Sequence, residues 1–98
     1  MLEVSILLDY YRNLLSDRQK EYLLEHFEED LSLTEIGKKY NVSRQAVYDN
    51  IRRGIKILRD YEEKIGFHKR DLELLSQLNE LKKNFTIEKL NEIIEKNF

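Results

Sequence analysis

The 98-residue chain has no cysteine, no proline and no tryptophan, and only three glycines and one methionine. Without cysteine there is no disulfide framework, no thiolate metal site and no cysteine nucleophile. Without proline, and with so little glycine, nothing reads as a flexible linker, and the length predicts one compact domain. Long apolar runs are missing as well. Nothing approaches the roughly 18 apolar residues that a bilayer span needs, and no signal-peptide pattern is seen, so a cytoplasmic protein without a membrane partner is expected. His26 and His68 stand alone, without a cysteine or a second histidine at i+4, and no glycine-rich phosphate loop exists. Catalytic residues, metal and cofactor are therefore all expected to be none, and an enzyme is the reading most firmly rejected.

What the chain does have is charge. Charged residues make up 37% and hydrophobic residues 41%, too apolar for a disordered chain and consistent with a helix-rich globule. The net charge of -2 hides a strong asymmetry. Residues 1–35 carry three bases against nine acids, whereas residues 38–59 carry Lys38, Lys39, Arg44, Arg52, Arg53, Lys56 and Arg59 against Asp49 alone. Exposed charges further apart than about 10 Å are largely screened, so a basic band in a mildly acidic molecule still meets phosphate locally. A solvated face paired with nearby acids is the plainer account of the same band.

Every segment reads as helix. Val4, Leu7, Leu8, Tyr11, Leu14 and Leu15 recur at helical spacing and predict a first helix over residues 2–15. Ser16 opens S-D-R-Q and Ser32 opens S-L-T-E, two capping boxes that start a second helix through Phe27 and a short third one to about Tyr40. Asn41 suits a left-handed turn and Ser43 a cap for a long helix from Arg44 towards Ile65, with Val47, Ile51, Ile55, Leu58 and Tyr61 on its buried stripe and Gly66 as its stop. The chain then divides into a core over residues 1–66 and a C-terminal helical extension over residues 67–98 of the same compact domain. In the extension Leu74, Leu78, Leu81 and Phe85 step by four, three and four, a seam for a second helix or for a second copy of the chain, and Thr86 caps a last helix with Leu90, Ile93, Ile94 and Phe98. With limited interior to bury that seam, a homodimer is expected.

Leu33–Tyr40, the turn Asn41-Val42-Ser43 and the helix from Arg44 have helix-turn-helix spacing. Ile36 and Tyr40 bury the first helix, Gly37 allows a close crossing, Val42 plugs the angle, and Val47 with Ile51 buries the second helix. Ser43, Arg44, Gln45, Tyr48, Asp49 and Arg52 are then left facing outward, at the positions that enter a major groove. Arginine suits guanine and glutamine suits adenine, while Lys38, Lys39 and Arg53 suit flanking phosphates. Asp49 fits less well: a carboxylate there repels phosphate unless it accepts from a cytosine amine, and a basic protein surface is the other reading of this face.

The run L-L-S-D-R-Q-K-E-Y, followed by L-S-L-T-E-I-G-K-K-Y-N-V-S-R-Q-A-V-Y-D-N-I-R-R, resembles the YlxM family of small bacterial helix-turn-helix proteins and, more distantly, the fourth-region domain of sigma factors. The resemblance spans about Leu7 to Lys64 and implies an all-α fold with a helix-turn-helix domain followed by C-terminal helices. It also implies a regulatory role beside the signal recognition particle. Gly37 stands where related segments more usually have alanine, at a cost of roughly 1 kcal/mol in helix propensity. Three functions follow: a dimeric regulator of duplex DNA, an accessory that meets the particle's RNA or its GTPase through the basic band, or a module that holds a protein through its acidic N-terminal helices.

Overall fold

The computed structural model describes residues 2–98, which form six helices: α1 (Leu2–Tyr11), α2 (Asp17–Phe27), α3 (Leu33–Tyr40), α4 (Arg44–Ile65), α5 (Phe67–Lys83) and α6 (Ile87–Asn97). A short 3-10 turn, Arg12–Leu14, follows α1, and the described residues contain no strand. The chain separates into two compact units, Met1–Ile65 and Gly66–Phe98.

In the first unit α4 is the spine, and α1, α2 and α3 each pack on it. The core is Val4, Leu7, Leu8 and Tyr11 from α1, Leu15, Tyr22 and Leu23 around α2, Ile36 from α3, and Val47, Ile51 and Leu58 from α4. Each buried aliphatic side chain contributes about 1.5–3 kcal/mol, which is what holds helices this short in place. The expected first helix ends a turn early. Leu14 lies exposed and Leu15 buried, because the 3-10 turn redirects the chain before α2. Polar ties fix α1 along α4: the Tyr11 hydroxyl donates to Glu62 Oε1 at 2.6 Å, Arg59 Nε donates to Glu3 at 2.8 Å, and the Tyr61 hydroxyl donates to the Leu14 carbonyl at 3.4 Å.

Caps set the other boundaries. Ser16 Oγ accepts from the Gln19 amide and makes only that half of the expected capping box, whereas Ser32 with Glu35 makes the full reciprocal box. Between α2 and α3, Asp30 adopts φ 59°, and His26 Nδ1–H donates to the Leu31 carbonyl at 2.7 Å. In the second unit Gly66 starts α5 at φ 71°, Thr86 Oγ1 caps α6 by accepting from the Lys89 amide, and α6 packs back on α5.

Candidate nucleic-acid interface

The turn between α3 and α4 is built from backbone. Asn41 takes φ 56°, ψ 47°, its amide donates to the Lys38 carbonyl at 3.4 Å, and the Val42 amide donates to the Gly37 carbonyl at 2.9 Å. This nested pair of bonds is the Schellman arrangement that reverses a chain after a left-handed residue. It brings the Val42 carbonyl oxygen under Gly37, where a Cβ would lie 2.8 Å from it. Gly37 therefore accommodates the turn itself, a tighter constraint than the helix crossing read from the sequence. Val42 does not plug the angle as expected: the residue is 41% exposed, and it is its carbonyl oxygen that approaches Gly37.

Ser43 then caps α4, its Oγ accepting from the Ala46 amide at 3.0 Å. At 100° per residue, Val47, Ile51, Gly54 and Leu58 fall on the buried side of α4, and Gln45, Tyr48, Asp49 and Arg52 fall on the other. Ser43, Arg44, Gln45, Arg52 and Arg53 are exposed, and Tyr48 is 43% exposed. Lys38 is exposed at the end of α3. Gln45 Nε2 donates to Asp49 Oδ1 at 3.0 Å, so the misfitting acid has a partner on its own helix.

Lys39, assigned to phosphate from the sequence, is engaged elsewhere. Its ammonium pairs with Glu25 on α2, a carboxylate only 6% exposed, and stands 5.3 Å from the Tyr40 ring centre. That hydrogen bond with Glu25 raises the Lys39 pKa. Burial, followed by the Glu25 carboxylate, raises that of Tyr40. Arg18 lies 4.5 Å over the same Tyr40 ring, which itself packs 5.1 Å from Tyr22. The sequence did carry a signal for this cluster: Glu25 sits three residues after buried Tyr22, on the face that α2 turns inward.

A feature that sequence reading missed lies beside the outward residues. A cleft of ≈ 520 Å³ has Phe27, Leu33, Ile51 and Ile55 in its lining, with Tyr48, Arg52, Lys56 and Arg59 also around it. It joins residues from α2, α3 and α4, so no periodicity within one helix announces it. Among the described residues no group of three or more His, Cys, Asp or Glu could hold a metal, and no helix is long and apolar enough to cross a membrane.

In the second unit, Leu81 is 8% exposed and contributes to the lining of a small cleft with Ile93 of α6, so α6 rather than a second copy covers it. Leu74 is half-buried, while Leu78 and Phe85 are 42% and 62% exposed. Leu72 and Leu75, which were not assigned to the seam, are also exposed.

A capped long helix set on a tight left-handed turn, over a bundle that buries its other face, defines a helix-turn-helix protein. The chain belongs to the UPF0122 family, described as "Putative helix-turn-helix protein, YlxM / p13 like", which it matches over residues 1–97. It is 53% identical over 94 residues to a UPF0122 protein of Fusobacterium nucleatum, covering 96% of this chain and 91% of that one. It is 44% identical over 92 residues to a UPF0122 protein of Clostridium novyi, covering 94% and 76%. The UPF0122 protein YlxM of Bacillus subtilis is 44% identical over 79 residues, covering 81% and 72%.

Proposed function

We propose that the chain is a non-enzymatic regulatory protein that lays the N-terminal half of α4 in the major groove of duplex DNA, acts beside the signal recognition particle, and works as a cytoplasmic homodimer joined through residues 67–98. The observation that supports the nucleic-acid reading is the pairing state of the cations. Arg12, Arg18, Lys39, Lys56 and Arg59 each meet a carboxylate. Arg44, Arg52 and Arg53, all on α4, are exposed and meet none among the described residues. Unpaired guanidinium groups exposed along the N-terminal half of one helix supply both phosphate attraction and bidentate contacts to guanine.

The test is a titration at two salt concentrations against duplex DNA and against the particle's RNA, with the Arg44→Ala/Arg52→Ala double variant alongside. The variant is expected to lose at least about tenfold in affinity, with a weaker salt dependence wherever the lost contact was to phosphate. Equal binding by both proteins overturns the reading, and a preference for RNA moves the target to the particle. A second reading, a module that modulates the particle's GTPase by contact with protein, is favoured by the apolar lining of the cleft beside Tyr48 and Arg52. A change in that GTPase rate that survives the double variant selects it.

A further inference from the structure

Asp49 is the one acid between Glu35 and Asp60, at the centre of the surface assigned to nucleic acid. Its position would allow helical ion pairs with Arg52 at i+3 or Arg53 at i+4. Neither forms among the described residues, and Asp49 instead accepts from Gln45 Nε2 at 3.0 Å, on the preceding turn. The direction of that bond is fixed by chemistry, because an ionised carboxylate has no proton to donate and must face the NH₂ end of the amide. The terminal torsion of a free glutamine is broad, so its carbonyl and NH₂ ends exchange places easily. Bound to Asp49, the amide keeps one N–H occupied and leaves its other N–H and its Oε1 available together.

The remaining donor and acceptor match one base edge. Adenine offers an acceptor at N7 and a donor at N6, which a glutamine amide meets with two hydrogen bonds, whereas guanine offers acceptors at both N7 and O6. A free amide could turn its NH₂ group towards guanine. A held amide would set Oε1 against O6, acceptor against acceptor. We propose that Asp49 is a specificity-positioning residue that holds Gln45 to read adenine, and to reject guanine, at one position of the target duplex. This inference rests on the duplex-DNA reading above. It also gives the carboxylate a use on a phosphate-facing surface, since an acid there weakens binding to every sequence while sharpening the choice among them.

The experiment is enrichment from a randomised duplex pool, followed by sequencing, for the full chain and for Gln45→Ala, Asp49→Ala and Asp49→Asn. The parent is expected to enrich a motif with one adenine column, preferred over guanine by roughly five- to a hundredfold, the range of a good bidentate pair. Gln45→Ala should erase that column, and Asp49→Ala should flatten the same column towards parity between adenine and guanine while tightening binding to unselected duplex. Asp49→Asn can present either its carbonyl or its NH₂ end to Gln45, no longer fixes which way the glutamine amide faces, and should weaken the adenine preference towards that of Asp49→Ala. Loss of an unrelated column in Asp49→Ala, or an adenine column that Asp49→Ala leaves intact, overturns the inference with the DNA reading standing. An adenine preference fully retained in Asp49→Asn overturns it, because the acceptor-only character of the carboxylate is then not what holds Gln45. A parent that enriches no motif overturns the inference together with the DNA reading. Circular dichroism of each variant separates these outcomes from helix loss, to which an exposed i,i+4 pair contributes little.

Discussion

Two glycines look alike on a helical wheel and do different work. A Cβ at Gly37 would stand 2.8 Å from the Val42 carbonyl oxygen, and that oxygen cannot retreat without opening the turn closed by the Val42-to-Gly37 hydrogen bond. A Cβ at Gly54 would stand 2.7 Å from Leu23 Cδ1, the end of a side chain that has rotamers to adjust. Alanine gains up to about 1 kcal/mol of helix propensity at either place, against an overpacking cost of typically 1–3 kcal/mol. Gly37→Ala is therefore expected to destabilise the fold by about 1–2 kcal/mol and to cost more than Gly54→Ala, as read from the urea midpoints of the two variants. A Gly37→Ala protein as stable as its parent would show that the turn has room to spare. The departure from alanine noted in the sequence is thus a steric necessity of this turn, visible only once Val42 has a position.

At the scale of one element, α3 shows how a cap couples to pH. Glu35 accepts from the Ser32 amide at 3.1 Å, and this bond, followed by the Ser32 hydroxyl and the charge of Lys38, lowers its pKa below the ordinary 4.5. A carboxyl group with a lower pKa in the folded than in the unfolded chain contributes stability above the unfolded value, and loses it as pH falls through the folded one. The acid limb of the stability profile, below about pH 4.5, is expected to become shallower in Glu35→Ala, measured by thermal melts at stepped pH. An unchanged limb would place the acid sensitivity in other carboxylates.

Such caps were legible because they act within one turn: Ser16, Ser32, Asn41, Ser43 and Thr86 all hold the cap and turn positions that their residue types suggested. The inward stripe of α4 was legible for the same reason. What the sequence left hidden depends on contact between helices. Lys39 meets Glu25 across α2 and α3, Val42 approaches through its backbone, and Leu81 is covered by α6, none of which a periodicity within one helix encodes. The Gln45–Asp49 bond is local and could have been read from its i,i+4 spacing, had the acid been asked for a partner rather than a base.

At the scale of the molecule, a surplus of apolar surface on one unit argues for a second copy. Leu72, Leu75, Leu78, Phe85, Ile87 and Ile94 are all exposed on the unit formed by Gly66–Phe98, in which α6 packs on α5. Two helices offer each other one face apiece, and apolar patches of this kind on small proteins mark interaction sites. Symmetric pairing is the commonest closed solution, and a dimer would also present two recognition helices to half-sites about one helical turn apart on DNA. The full chain is expected to sediment as a dimer at micromolar concentration, and Leu75→Glu or Phe85→Glu to sediment as a monomer with its helix content intact. Leu81→Glu, placed under α6, should instead lose helix content, which separates an interface residue from one that holds the unit together. In the monomeric variants the Arg44-dependent affinity for a single half-site should persist while affinity for a paired site falls, because only the second recognition helix has been taken away. A parent chain that sediments as a monomer would overturn the dimer and leave the exposed leucines to a partner of another kind.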